Sequence, residues 1–272
     1  VADDASWTIF PGPVSWTVNL SNVSYDSVSF SVSSQDSGPH DIAFNSDGTK
    51  MYIVGIGSAT VYQYTLSTGF DLSTASYDSV SFSMSSQDSS VSGIAFNTDG
   101  TKMYMVGYAN DSIHQYSLST GFDVSTASYD SVSFSVSGHE LVPTGLAFNT
   151  DGTKMYITGN NSTRMYQYTL STGFDLSTAS YNNVNFNVFS YDSSPYSLAF
   201  NTDGTKMYLI GRQLDRVYQY SLSTGFDLST ISYDSVNFSV NSQDTDPAGL
   251  VFSSDGTKMY MVGVNTDTVY QY

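Results

Sequence analysis

The stretch Asp47-Gly-Thr-Lys-Met-Tyr52 occurs five times in the sequence. Its copies are 52 residues apart (99 − 47 = 52), and no insertion or deletion disturbs this spacing; they begin at Asp47, Asp99, Asp151, Asp203 and Asp255. A fixed period near 50 residues, built from short β-prone segments, is typical of a closed array of repeats. The sequence therefore predicts repeated units rather than one irregular globular core.

Each repeat contains four β-prone segments. In the second repeat, residues 93–97 and 102–107 flank Asp99-Gly100, and Asp-Gly between two such segments is a strong hairpin signal. Residues 112–118 form a third segment, and residues 130–136 form a fourth that alternates apolar residues with serine. The pattern predicts an all-β fold in which residues 1–272 form a single five-bladed β-propeller with four antiparallel strands per blade.

The two ends of the chain predict how the ring closes. The first repeat-like segment, residues 25–33, corresponds to a fourth strand, whereas residues 248–272 supply only the first three strands of the last unit. Pairing the two would complete the last blade and remove an open sheet edge. Residues 1–22 fit the repeat only partly and contain both tryptophans, Trp7 and Trp16. We expect this extension to pack on the closure.

One segment of the repeat resembles a known family. Residues Pro39-His-Asp-Ile-Ala-Phe-Asn-Ser-Asp-Gly-Thr-Lys-Met-Tyr52 resemble the P-x-G-I-A-F-x-x-D-G-x-x-x-Y signature of YVTN- and NHL-type propeller repeats. The resemblance implies a propeller, and such families include binding scaffolds, surface-layer proteins and lactone-cleaving enzymes. His40 and Asp41 stand where the signature usually has x-Gly. We take this departure, together with the small number of blades, to disfavour an enzyme.

Composition restricts the partners and the compartment. The formal net charge is −17, only 12% of residues are charged, and there is no cysteine. An acidic chain disfavours nucleic acid and anionic membranes as partners, and the absence of cysteine excludes disulfides and thiolate chemistry. No apolar run approaches the roughly 20 residues that cross a bilayer. We expect an extracellular, cell-surface or virion protein without membrane insertion.

The connections between strands alternate between the two faces of a propeller. We call the face with the Asp-Gly hairpins and the Gly-Phe-Asp connections the constant face, because its sequence hardly changes between repeats, and the opposite face the variable face. Since loops often carry function, a ligand is expected on the variable face; drift of unconstrained loops is the alternative. The candidate ligand-binding residues are His40, Ser92, Thr144, Tyr196, Tyr108, Asn160, Arg164, Arg212, Arg216 and Asn265.

One position on the variable face is acidic in every repeat. Symmetry would turn these residues into a ring of carboxylates that could bind a divalent cation such as Ca²⁺. The alternative is that each carboxylate caps backbone N–H groups in its own turn. Apart from this candidate Ca²⁺ site, no cofactor is expected. The five residues are Asp36, Asp88, Glu140, Asp192 and Asp244.

The function expected from these patterns is a non-catalytic binding or adhesion module, with glycans on a cell surface as the multivalent ligand. A structural or protein-interaction propeller of a surface or virion assembly is one alternative. A hydrolase of saccharides or lactones is another, and it would require a unique cluster of acids or metal ligands in the central channel. An enzyme is disfavoured because five near-equivalent acids do not provide two carboxyl groups in different environments.

Overall fold

The computed structural model describes residues 16–272, which form 20 strands in five antiparallel sheets. The first four sheets follow the chain order. Blade 1 contains β2 (Pro39–Phe44), β3 (Lys50–Gly55), β4 (Thr60–Leu66) and β5 (Ala75–Ser83). Blade 2 contains β6 (Val91–Phe96), β7 (Lys102–Gly107), β8 (Ser112–Leu118) and β9 (Ala127–Ser135). Blade 3 contains β10 (Pro143–Phe148), β11 (Lys154–Gly159), β12 (Arg164–Leu170) and β13 (Ala179–Asn187). Blade 4 contains β14 (Pro195–Phe200), β15 (Lys206–Gly211), β16 (Arg216–Leu222) and β17 (Ile231–Ser239).

Blade 5 joins the two ends of the chain and confirms the predicted closure. It contains β18 (Pro247–Phe252), β19 (Met259–Gly263), β20 (Thr268–Gln271) and, as its outer strand, β1 (Val28–Ser31). In the antiparallel register Val28 lies opposite Gln271 and Ser31 lies opposite Thr268. The innermost strands β2, β6, β10, β14 and β18 contact each other in sequence around the ring, and β18 returns to β2. The five-bladed propeller predicted from the repeats is therefore confirmed.

The blades pack on each other through layers of apolar side chains. Each of the five buried clusters combines residues of two adjacent blades. The tyrosine of each DGTKMY segment packs against the inner-strand phenylalanine of the next blade, and in blade 1 the Tyr52 and Phe96 ring centroids are 4.6 Å apart. The same contact crosses the closure, where the Tyr260 and Phe44 centroids are 4.7 Å apart. The seam is thus packed like the other four interfaces.

Hydrogen bonds repeat in the same direction around the ring. The Tyr52 hydroxyl donates to the carbonyl oxygen of Phe122 at 2.5 Å, and the Tyr156 hydroxyl donates to that of Phe226 at 2.6 Å. Between blade 4 and the N-terminal segment that precedes β1, the Tyr208 hydroxyl donates to the carbonyl of Val18 at 2.8 Å. Glutamine side chains reach the next blade in the same way, as when Leu72 N–H donates to Gln271 at 2.9 Å. Every blade therefore satisfies polar groups of its neighbour.

The N-terminal segment replaces a connection that blade 5 would otherwise lack. Residues 16–23 contain a 3-10 turn, Leu20–Asn22, equivalent to those at Leu72–Thr74, Val124–Thr126, Leu176–Thr178 and Leu228–Thr230. The Trp16 ring lies over Gly256, where the other blades place the phenylalanine of Gly-Phe-Asp over glycine, and its centroid is 5.3 Å from that of Phe252. Trp16 thus covers the closure. Trp7 lies outside the described residues.

Blade 3 differs from the others in one ion pair. In blade 1 the Lys50 ammonium is 2.7 Å from an Asp78 carboxylate oxygen, and blades 2, 4 and 5 contain the equivalent pair. Blade 3 has Asn182 at this position, and its side-chain oxygen is buried without a hydrogen-bond partner among the described residues. Lys154 donates instead to the carbonyl of Phe226 at 2.8 Å.

We expect Asn182→Asp to raise the free energy of unfolding by about 0.5–1 kcal/mol, because it would restore a partly exposed ion pair. Urea unfolding at neutral pH measures the change. The reverse substitution in blade 2, Asp130→Asn, is the matched control and should lower stability by a similar amount. A destabilised Asn182→Asp protein would show that blade 3 is adapted to the neutral residue.

No helix within residues 16–272 has the length and hydropathy needed to span a membrane.

Candidate functional site

The third residue of each innermost strand lies at the same level around the propeller axis, and two blades have a residue other than glycine there. Three blades have glycine there, blade 4 has Ser197 and blade 1 has Asp41. Space at this level is tight: a Cβ atom on Gly249 would lie 2.8 Å from the Asp41 Cα, and one on Gly145 would lie 2.7 Å from the Tyr196 carbonyl oxygen. The glycines therefore leave room for one larger side chain, that of Asp41.

Asp41 is a buried carboxyl group without a cationic partner. Its side chain accepts a hydrogen bond from Ile94 N–H at 2.9 Å and is 3.5 Å from the Ser197 hydroxyl on the opposite side of the channel. The residue is 3% exposed, and no salt bridge in residues 16–272 involves it. Burial raises the pKa of Asp41 to about 7, and the hydrogen bonds from Ile94, Ile42 and Ser197 offset only part of this effect.

Asp41 and Ser197 lie at the inner end of a cavity of about 200 Å³ in the central channel. The inner strands run from the variable face to the constant face, so the cavity occupies the half of the channel that leads to the constant face. Its walls are apolar rings from the residues that follow Asp41 and its counterparts. These rings contain Ile42, Ile94, Leu146, Leu198 and Leu250, and then Ala43, Ala95, Ala147, Ala199 and Val251.

Packed side chains close the channel on the variable face. The His40 and Tyr196 ring centroids are 5.4 Å apart, and the Arg212 guanidinium carbon lies 3.4 Å from the Tyr196 ring centroid. Arg212 also forms a 3.0 Å ion pair with Asp246. Burial and the charge of Arg212 lower the pKa of His40 to about 4, so this ring is neutral at pH 7. The cavity therefore opens toward the constant face.

The structure brings together three of the ten predicted ligand-binding residues: His40, Tyr196 and Arg212. Ser92 and Thr144 are buried, and their hydroxyls donate to backbone carbonyls of the next blade, at Pro143 and Pro195. The remaining five lie in or beside the loops between the second and third strands of blades 2–5. Arg164 and Arg216 donate to asparagine side chains, and Asn265 donates to a threonine; the five are Tyr108, Asn160, Arg164, Arg216 and Asn265. Ligand binding by these loops stays a prediction.

The five predicted metal ligands cap backbone groups. Each carboxylate accepts a hydrogen bond from the N–H group two residues later, at 2.7–2.9 Å. Each also accepts a hydrogen bond from the loop between the second and third strands of the blade that follows it in the chain. The five are Asp36, Asp88, Glu140, Asp192 and Asp244. Among residues 16–272 no group of three or more His, Asp or Glu side chains could hold a metal ion. This geometry matches the capping alternative, and Ca²⁺ binding by these residues stays a prediction.

Sequence reasoning missed the importance of Asp41 and Ser197. The signal was present, because these are the departures from glycine at a position that is glycine in the other three repeats. The acids that recur in every blade contain no pair in two different environments. A functional carboxyl that occurs in one blade is not among these recurrent acids. The residues that recur in every blade form the scaffold, whereas residues that depart from the repeat mark the site.

A family model described as "Lactonase, 7-bladed beta-propeller" matches residues 14–173. A candidate 6-phosphogluconolactonase from Bacteroides uniformis has a similar structure, with 16% sequence identity over 82% of this chain and 63% of that chain, and a TM-score of 0.51. A protein from Lactobacillus plantarum has 15% identity over 86% of this chain and 66% of that chain, with a TM-score of 0.52. The chain thus spans less than two thirds of the length of either protein.

A luciferin-regenerating enzyme is similar over nearly its whole length, with 12% identity over 90% of this chain and 94% of that chain, and a TM-score of 0.55. At such low identities these structural likenesses show the fold alone. No curated protein matches the sequence.

The family match overturns two predictions made from the sequence. The chain is not described correctly as a non-catalytic glycan-binding adhesion module, and the prediction that it is not an enzyme is wrong as well. Both errors arose because His40 and Asp41 were treated as a loss of the family signature, whereas the structure places Asp41 alone at the inner end of a channel cavity. The match extends over 160 of 272 residues (173 − 14 + 1), and the chain belongs to the seven-bladed β-propeller lactonase family, of which it is a five-bladed form.

Proposed function

We propose that this protein is a hydrolase that opens lactones in the channel cavity, with Asp41 as the general base. The observation that carries the proposal is the position of this carboxyl group. It is the one acid among the residues that line the cavity, and it lies at the closed end of an apolar space in which a small substrate would be held away from bulk water.

The chemistry balances with one carboxyl group and one water molecule. Asp41 accepts a proton from the water as its oxygen forms a bond to the lactone carbonyl carbon. The ring C–O bond then breaks, and the departing alkoxide oxygen takes the proton back from Asp41. The product is an open hydroxy acid, and Asp41 returns to its starting state. The Ser197 hydroxyl, 3.5 Å from Asp41, is placed to orient the carboxylate.

The environment of Asp41 suits this role. A general base is most effective when its pKa lies near the working pH, because a substantial fraction is then ionised and still basic. Burial raises the pKa of Asp41 to about 7. The neutral ring of His40 and the Tyr196–Arg212 stack close the channel at the variable face, so the substrate would enter from the constant face.

The comparisons support a lactonase in two ways. The family is described by this activity, and a structural neighbour is named as a candidate 6-phosphogluconolactonase.

The similarity of residues 39–52 to YVTN- and NHL-type repeats is a further, finer proposal about ancestry. The extracellular, cell-surface or virion location also remains a proposal, based on the acidic, cysteine-free composition.

Asp41→Asn tests the proposal. We expect it to lower kcat/KM for unsubstituted five- and six-membered lactones by at least about 100-fold, because the amide cannot accept the proton. In the wild-type protein, kcat/KM should rise with pH and level off above about 7, as Asp41 ionises. A pH-stat assay measures the acid released, after subtraction of spontaneous hydrolysis.

The matched control is Asp111→Asn, which makes the same chemical change in a loop of the variable face. Asp111 has φ 49°, a conformation that asparagine accepts, so this protein should keep wild-type activity. The proposal would be wrong if the wild-type protein opened no lactone in the panel, or if Asp41→Asn retained the full rate.

A further inference from the structure

We infer that the channel cavity selects compact, uncharged, apolar lactones and rejects phosphorylated sugar lactones. The inference rests on the proposed function, and it departs from the substrate that the name of the Bacteroides uniformis neighbour suggests for that protein. Three observations support the inference: the apolar lining of the cavity, the positions of the cations, and the width of the cavity.

The lining offers almost no polar partners to a substrate. Within residues 16–272, Asp41 and Ser197 are the polar side chains among the lining residues, and both are at the inner end. The remaining walls consist of the Ile/Leu ring and the Ala/Val ring. A sugar lactone with several hydroxyl groups would lose its bonds to water in this space without gaining replacements, and each unpaired polar group costs free energy. An aliphatic lactone would lose little.

Among residues 16–272 no lysine or arginine lines the cavity. Arg212 lies on the variable-face side of Asp41, where Asp246 and the Tyr196 ring hold it. On the constant face four lysines are paired with aspartates. Lys154 has no aspartate partner, but it donates to the Phe226 carbonyl in the connection between β16 and β17, away from the innermost strand β14. A phosphate dianion would therefore enter beside an ionised Asp41, in a protein of net charge −17, without a compensating positive group.

The second wall ring sets the width of the cavity. It has alanine in four blades and Val251 in the fifth. The cavity has a volume of about 200 Å³. Val251 is thus the side chain most able to limit substrate bulk, and we assign it as a specificity-determining residue.

The first experiment compares substrates. We expect kcat/KM of the wild-type protein for δ-valerolactone to exceed that for 6-phosphogluconolactone by more than about 10-fold, since a charge without a partner is costly to bury. A preference for the phosphorylated lactone would overturn the inference and leave the proposed hydrolase intact.

The second experiment changes the width. Val251→Ala should raise the ratio of kcat/KM for δ-decalactone over δ-valerolactone by about 10-fold, because one or two methyl groups in an apolar pocket have effects of this size. Ala147→Val should change the ratio in the opposite direction. Both residue types already occur in this ring, so both proteins should fold. Unchanged ratios in both variants would overturn the role of Val251.

The third experiment separates binding from catalysis. We expect δ-valerolactam, a neutral analogue that resists hydrolysis, to bind to the wild-type and Asp41→Asn proteins in ligand-observed NMR, and to be displaced by δ-valerolactone but not by inorganic phosphate. Binding without lactone hydrolysis would sink the proposed function while supporting the ligand class. Displacement by phosphate would overturn the ligand class itself.

Discussion

A chain that lacks residues 1–33 should fail to form a stable monomer. The deletion removes β1, leaves the hydrogen-bonding edge of β20 open, and takes away Trp16 and Leu20, which pack between blades 4 and 5. An unpaired edge strand beside exposed apolar residues favours association between chains. We therefore expect oligomers or aggregates in size-exclusion chromatography with light scattering, and loss of the wild-type thermal transition.

A synthetic peptide of residues 16–33, added in excess during refolding, should restore the monomer by pairing with β20 in the register of Val28 and Gln271. A chain that begins at Trp16 is the control, because it keeps every contact described above. A truncated protein that remained monomeric with the original melting temperature would show that blade 5 does not depend on its N-terminal strand.

The second large effect concerns stability and pH. We expect Asp41→Asn to be more stable than the wild-type protein at pH 8, by on the order of 4 kcal/mol, and to be similar to it near pH 4. The pKa of Asp41 is about 7 in the folded protein, instead of the ordinary 3.8. Between these values the folded state binds a proton that the unfolded state has lost, so stability falls as the pH rises, by about 1.4 kcal/mol for each pKa unit.

His40 acts in the opposite direction over much of the same range. Its pKa falls from 6.5 to about 4 in the folded protein, so the unfolded state binds the additional proton between these values. This group contributes stability that is lost as the pH falls from about 6.5 to 4, on the order of 3 kcal/mol. The two neighbours should therefore largely offset each other in the wild-type protein.

Urea unfolding at pH 4.5, 6 and 8 distinguishes these effects. The stability of the wild-type protein should vary little with pH. That of Asp41→Asn should rise steadily between pH 4.5 and 6.5, because the effect of His40 is then no longer offset by Asp41. An Asp41→Asn protein that was less stable than the wild type at pH 8 would contradict the assigned environment of this carboxyl. A costly acid in the core is expected where activity needs it.

The repeat made the fold predictable from sequence, because each blade tests the interpretation of the others. The Asp-Gly turns appear with glycine in the left-handed region, as at Gly48 with φ 72°. The closing strand was predicted at residues 25–33 and is found at Val28–Ser31, and the Asp26 N–H ahead of it also donates to the Gln271 carbonyl at 3.0 Å. Phe70 and its counterparts also have positive φ, which non-glycine residues seldom adopt, so their packing over glycine could not be anticipated.

The site was less predictable than the fold. The contact between His40 and Tyr196 joins blades 1 and 4, which are not neighbours in the ring. The separation of Asp41 from every cation depends on which way each inner strand turns its side chains. Such relations exist only in the closed ring, and no single repeat contains them.

The tyrosine and glutamine bonds that pass from each blade to the next give the ring a mechanical character. Linear repeat arrays fray from their terminal units, whose outer surfaces have no neighbour. In the closed propeller every blade has a hydrogen-bonded neighbour on both sides. This includes blade 5, which combines β1 with β18, β19 and β20. We therefore expect the loss of any one blade interface to destabilise the others. The ring should open as a unit, and the channel should keep its width until it does.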